Sequence, residues 1–141
     1  MKKNKKETKT KMNPVVHFEM PYENRERLVK FYTQTFGWQM QKLSKAMGYY
    51  VTAATTETDK NRIAKRPGAI NGGFFPKNTD VSTQYPSVVI AVDDIDESMK
   101  KVKDAGGKVL DKPMKIPGIG QYVSFRDTEG NRVGILQPIN M

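Results

Sequence analysis

A pattern of strand periodicity, helix capping and turn residues runs through this sequence twice, each time in the order strand, helix, strand, strand, strand. Val15 to Met20 (VVHFEM) alternates as a strand, with Val16, Phe18 and Met20 on one face and Val15, His17 and Glu19 on the other. Asn24 is suited to cap a helix through Phe36, whose stripe is Leu28, Phe31, Tyr32 and Thr35, and Gly37 ends it. Trp38 to Leu43 and Met47 to Thr56 read as two strands about a turn containing Gly48. A charged loop over residues 57–68 leads to a strand over Ala69 to Phe75, with Gly72 and Gly73 where a bulge or close backbone approach would need them.

The second passage begins with a strand over Ser87 to Val92. Asp94 then opens a helix with Glu97 three residues on, and Ile95, Met99 and Val102 form its apolar stripe. Gly106-Gly107 closes it, and strands follow over Lys108 to Asp111, Gln121 to Arg126 and Arg132 to Gln137. The Pro/Gly-rich stretch KPMKIPGIG between the first two reads as a connection, with Ile116 to Gln121 as a mobile rim. Residues 127–131 (DTEGN) form the last hairpin turn. Gly37 falls over Gly107 and Asn24 over Asp94 at an offset of 70, whereas INGGFFP falls over RVGILQP at an offset of 62. Two similar modules with helices over one side of the sheet imply an α+β fold.

Composition narrows the chemistry. Of the 141 residues none is cysteine and one is histidine, which excludes disulfides and thiolate metal sites and suits a reducing, cytoplasmic compartment. Hydrophobic residues at 37% and charged residues at 28% fit a folded domain without staples. The longest apolar run, Val88 to Val92, is too short for a bilayer, and the basic start has no apolar segment of the secretory kind. The net charge is +9, but residues 1–12 hold six lysines against one glutamate. The reading is a basic tail over 1–12 followed by one domain over 13–141, with modules at about 13–77 and 84–141. The body carries only 18 basic and 14 acidic side chains, so nucleic acid is not the expected partner, although a modest preference for anions remains.

HFEMPYENRERLVKFYTQTFGW resembles the opening of the vicinal oxygen chelate superfamily of glyoxalases, bleomycin-resistance proteins and extradiol dioxygenases. VVIAVDDIDESMKKVKDAGGKVL and GQYVSFRDTEGNRVGILQP resemble its second module, and PGAINGGFF resembles a glyoxalase-related subgroup. The resemblance runs from about Asn13 to Pro138. It implies paired βαβββ modules forming a cupped mixed sheet around a cavity, usually in a homodimer. It also implies metal ligands on the first and last strand of each module, at His17, Gly72, Ser87 and Gly134 here. Only His17 has the side chain for it, since glycine offers none and serine is a poor ligand. The expectation is therefore no catalytic metal and no cofactor.

His17 and Glu19, two residues apart on one strand face, are the candidate catalytic pair: a base near neutrality and a carboxylate able to fix its tautomer. If Glu19 is buried it needs a partner, and His17 or a nearby arginine is the candidate. Trp38, Tyr50, Phe74, Tyr122 and Ser124 are candidate ligand contacts in an aromatic-lined cup, although core packing explains Trp38 and the other aromatics as well. There is no phosphate-cradling glycine loop and no G-x-S-x-G elbow. Two functions follow: a binder of a small organic molecule without a catalytic metal, or a glyoxalase-related lyase or dioxygenase-like enzyme, metal-free through His17 and Glu19 or weakly metal-dependent.

Overall fold

A computed structural model describes residues 11–61 and 63–139. The first passage forms β1 (Val15–Tyr22), α1 (Arg25–Phe36), β2 (Gln39–Lys42), β3 (Val51–Ala54) and β4 (Asn71–Pro76). The second forms β5 (Ser87–Ala91), α2 (Ile95–Asp104), β6 (Lys108–Val109), β7 (Met114–Ile116), β8 (Gly120–Arg126) and β9 (Arg132–Pro138). The strands make one mixed curved sheet in the order β2-β3-β4-β1-β5-β9-β8-β6, with β7 also paired to β8. This order is a palindrome in structural terms. The first strands, β1 and β5, meet antiparallel at the centre, and each is flanked by the last strand of its own passage, β4 or β9, running parallel to it.

The helices start where the sequence signals place them. The Asn24 side chain accepts from Arg27 N at 2.9 Å, and Gly37, at φ +70°, returns its N–H to Thr33 O. Asp94 accepts from Glu97 N at 3.0 Å, while Gln137 Oε1 on β9 takes the N–H of Ile95 at 2.8 Å and ties α2 to the sheet. Each helix face has its own core. Val51, Ala53 and Phe74 lie beneath α1 and pack with Phe18, Trp38 and the helix's own Leu28 and Tyr32, while Val123 and Ile135 lie beneath α2 and pack with Phe125 and the helix's own Ile95 and Met99. Fully burying each such side chain contributes roughly 1.5–3 kcal/mol.

Two expectations change. The Pro/Gly-rich stretch is not simply a connection, because Met114 to Ile116 pair with β8. Ile119 N, within the expected mobile rim, bonds Ile116 O at 3.0 Å, and its carbonyl accepts from Ile139 N at 2.9 Å. The last strands also correspond at an offset of 61 rather than 62: Glu19 pairs with Gly73, and Val89, seventy residues on from Glu19, pairs with Gly134. Side chains alternate along a strand, so that single residue decides which glycine faces which side. Of the basic tail, residues 1–10 lie outside the described residues.

Candidate functional site

The face of the sheet opposite the helices carries the odd-numbered residues of β1. His17 and Glu19 lie there, both half-buried, at the centre of the nine-stranded sheet. Two tyrosines reach them from opposite sides. Tyr50, just ahead of β3, lies over Gly73 of β4, and Tyr122 on β8 lies over Gly134 of β9. A Cβ at Gly73 would overlap the hydroxyl-bearing edge of the Tyr50 ring, and one at Gly134 would sit 2.6 Å from Tyr122. Gly72 is not part of this face. Its Cβ would meet Phe18 on the helix side at 2.5 Å, so the metal position assigned there by resemblance belongs one residue later. Nor do the glycines open space, since phenol rings fill it.

The polar groups form one chain. Tyr50 O–H donates to Glu19 Oε2 at 3.0 Å, and Tyr122 O–H donates to Glu19 Oε1 at 3.0 Å. A phenol has one hydrogen, so the 2.9 Å contact between His17 Nε2 and the Tyr50 oxygen requires the Nε2–H tautomer of His17. Ser124 Oγ, in turn, donates to the Tyr122 oxygen at 3.3 Å. All four hydrogens therefore point toward the Glu19 carboxylate. The partners expected for that carboxylate were His17 or an arginine, but they are two tyrosines, and His17 acts through one of them.

Electrostatics follow from this arrangement. Burial lowers the His17 pKa below its ordinary 6.5, with the Glu19 charge opposing, so the ring is neutral at pH 7. Its Nδ1 is then an unprotonated acceptor. Burial, reinforced by the Glu19 charge, pushes the Tyr50 hydroxyl well above its ordinary range and that of Tyr122 up to about 12. Both phenols stay protonated and serve as donors.

Tyr50, Tyr122 and Ser124 thus lie with His17 and Glu19. Trp38 and Phe74, also expected in the cup, do not. Trp38 stacks on Tyr32 of α1 with ring centres 4.7 Å apart, and Phe74, 1% exposed, sits in the core beneath the same helix. Register explains it, because Phe74 follows Gly73 and so points to the other side. Among the described residues no three His, Cys, Asp or Glu side chains gather in a way that could hold a metal ion. The family's ligand set does not fit here: on this face it reduces to His17, Ser87 and two glycines covered by tyrosine rings. Two surface grooves, of about 730 Å³ beside Thr56, Lys65 and Arg66 and about 490 Å³ beside Tyr22, Arg27 and Lys77, lie away from this cluster.

With this fold and site in view, comparison with known proteins gives a consistent answer. Residues 15–135 match the model of the Glyoxalase/Bleomycin resistance protein/Dioxygenase superfamily, and the chain belongs to that family. It is 32% identical over 116 residues to a "Glyoxylase-like domain-containing protein" of Didymella fabae, covering 80% of this chain and 84% of that one. It is 25% identical over 125 residues to a "Probable lactoylglutathione lyase" of Vibrio parahaemolyticus, covering 87% and 89%. Among solved structures it resembles methylmalonyl-CoA epimerase of Streptomyces coelicolor in complex with 2-nitronate-propionyl-CoA. That match has a TM-score of 0.65 at 15% identity, covers 89% of this chain and 97% of that one, and establishes a shared fold. Among the described residues no helix is long and apolar enough to cross a membrane.

Proposed function

We propose that this protein binds a small organic molecule on the cup face, over the His17–Tyr50–Glu19–Tyr122–Ser124 chain, and does so without a catalytic metal. The observation that supports it is the pair of tyrosine rings lying over Gly73 and Gly134, with both hydroxyls on Glu19. A carboxylate that accepts two charge-assisted bonds is already satisfied in its charged form. The floor is thus a preorganised polar surface, and a ligand meets the His17 Nδ1 and the remaining lone pairs of the hydroxyls. The test is metal analysis of gently purified protein, with a thermal-shift screen of small organic acids, esters and aromatics with and without EDTA. Ligand-induced stabilisation that EDTA leaves unchanged, with no metal at stoichiometric level, is the expected result. Stoichiometric metal, or stabilisation abolished by chelator, rejects it.

One observation favours a second reading, in which the same floor transfers protons. The neutral His17 and the Glu19 carboxyl group lie two residues apart on one strand, joined by a phenol that can pass a proton between them. A glyoxalase-related enzyme of this kind would keep its turnover in EDTA and lose it in Glu19→Gln and His17→Ala. We also propose a cytoplasmic homodimer, consistent with the absence of cysteine and testable by light scattering on the eluting peak.

A further inference from the structure

A row of cations lies on the cup face of the second module. Lys108 on β6 pairs in register with Arg126 on β8, and Arg126 pairs with Arg132 on β9. Paired residues share a face, and Arg126 lies two residues beyond Ser124, while Arg132 lies two before Gly134. Both Ser124 and Gly134 belong to the tyrosine cluster. Three positive side chains thus stand side by side across three adjoining strands, on the side of the sheet that carries Glu19. Like charges directly opposed across a ladder destabilise it.

The fold offsets this only through space, by the Asp80 carboxylate, whose pKa is lowered chiefly by its bonds from Ser82 and in part by both arginines. Arg126 and Arg132 are half-buried, and among the described residues neither guanidinium has a hydrogen-bond or ion-pair partner. Asp80 forms no hydrogen bond or ion pair with either arginine; its Oδ1 accepts from Ser82 N at 2.9 Å and Ser82 Oγ at 2.8 Å. The Arg132 charge also reaches the Tyr122 hydroxyl, which places it within electrostatic range of the floor. Opposed arginines with no carboxylate bonded to either, among the described residues, can take one from outside. Their forked donors match carboxylate and phosphate oxygens two at a time.

We infer that the cup selects an oxyanionic small molecule, a carboxylate or phosphate monoester, whose charged end lies between Arg126 and Arg132 and whose uncharged end lies over His17, Tyr50 and Glu19. Lys108, exposed at the end of the row, adds attraction at longer range. The polarity follows from the site, since Glu19 on β1 would repel an anion that Arg126 and Arg132, on β8 and β9 of the same face, would hold. This inference rests on the reading that the cup is the ligand site.

The test is a titration of the full-length ¹⁵N-labelled protein, followed by NMR, with phenyl phosphate, benzoate and benzyl alcohol in turn. The two anions are expected to shift the amides of residues 122–126 and 132–134, at affinities about tenfold or more above that of the neutral alcohol, as loss of charge-assisted bonds implies. Arg126→Gln and Arg132→Gln are each expected to remove that difference while leaving the alcohol unaffected. Both variants relieve an opposed pair of like charges, and the spectrum of each reports its folding directly. If all three probes bind those amides alike, the cup remains a ligand site and the anion selectivity is wrong. If the anions shift only residues around Lys65 and Arg66, the inference falls. If no probe shifts the cup at all, the inference and the reading beneath it fall together.

Discussion

The two modules present the same packing and opposite chemistry. Thr52 pairs with Gly73 as Ser124 pairs with Gly134, so Tyr50 and Tyr122, each two residues earlier, occupy equivalent places. Both rings cover the glycine of a neighbouring last strand, and both hydroxyls reach the same carboxylate. The first strands differ. His17 and Glu19 on β1 stand where β5 has Ser87 and Val89. The unpaired cations Arg126 and Arg132 stand where the first module has Ala54 and Asn71, and Asn71 Oδ1 is occupied with the N–H groups of Thr55 and Thr56. The acid and the histidine thus lie on one half of the cup and the cations on the other. The paired strand registers dictate how the two rings pack and leave the charge on each half free to differ.

The largest expected effect comes from breaking the packing on the tighter side. In Gly73→Ala the new methyl overlaps the Tyr50 ring edge and hydroxyl, so Tyr50 must move and lose its bonds to both His17 and Glu19. Neither this glycine nor Gly134 has a positive φ, so the cost is steric rather than backbone strain. Overpacking of this kind costs about 1–3 kcal/mol, and unsatisfied groups add to it. Gly134→Ala, with its contact at 2.6 Å, is expected to cost less. Urea unfolding of both variants gives the order, and an equal loss would mean that the two tyrosine seats are not different in the way described.

Removing one hydroxyl at a time sharpens the comparison further. Tyr50→Phe cuts the chain between His17 and Glu19 and leaves the His17 Nε2–H without its acceptor. Tyr122→Phe cuts one bond to Glu19 and a longer 3.3 Å bond from Ser124. Each is expected to cost about 1–2 kcal/mol, with Tyr50→Phe the larger. The readout specific to the chain is the His17 tautomer by ¹⁵N NMR. It is expected to leave pure Nε2–H in Tyr50→Phe and to stay unchanged in Tyr122→Phe, and the reverse pattern would place His17 outside the chain.

The sequence made much of this arrangement legible, and the limits have physical causes. Alternation on β1 was enough to put His17 and Glu19 on one face, because period two is strict in a strand. The capping residues Asn24 and Asp94 and the closing Gly37 marked the helices, since caps are local chemistry. Register was not legible. INGGFFP and RVGILQP align by eye with Gly72 over Gly134, but pairing across the sheet puts Gly73 there, and the same shift sends Phe74 into the core. Trp38 reads as either a core or a cup residue because local alternation does not say that the chain turns at Gly37 and lays the ring back on Tyr32 of the helix just before it. The tyrosine clamp on Glu19 depends on contacts such as Tyr122 to Glu19, 103 residues apart, which no local pattern encodes. A signal for the arginine row did exist: Arg126 and Arg132 flank the DTEGN turn symmetrically and so had to pair.

Alkaline pH probes the tyrosine clamp, and Tyr122→Phe isolates the part of it that the second module supplies. The Tyr122 pKa, about 12 in the folded chain against an ordinary 10.0, is raised, so its contribution to stability is complete below about pH 10 and is lost as pH rises toward 12. Stability is therefore expected to fall more steeply above pH 10 in the native sequence than in Tyr122→Phe. Phenolate absorbance during the titration should show two tyrosines ionising later than the rest, and all six ionising together would remove the buried clamp.

The smallest effect tests the first module from the acid side. The folded pKa of His17 lies below 6.5, chiefly through burial, so the unfolded chain binds the proton first as pH falls. The stability this group contributes is present above pH 6.5 and is lost below it, and His17→Gln should flatten that part of the profile between pH 7 and pH 5. Unfolding midpoints in urea across that range measure it. A steeper loss in His17→Gln than in the native sequence would mean that Glu19 holds the imidazole charged after all, turning the neutral donor of this chain into half of an ion pair and moving the charge balance of the cup toward the cationic side.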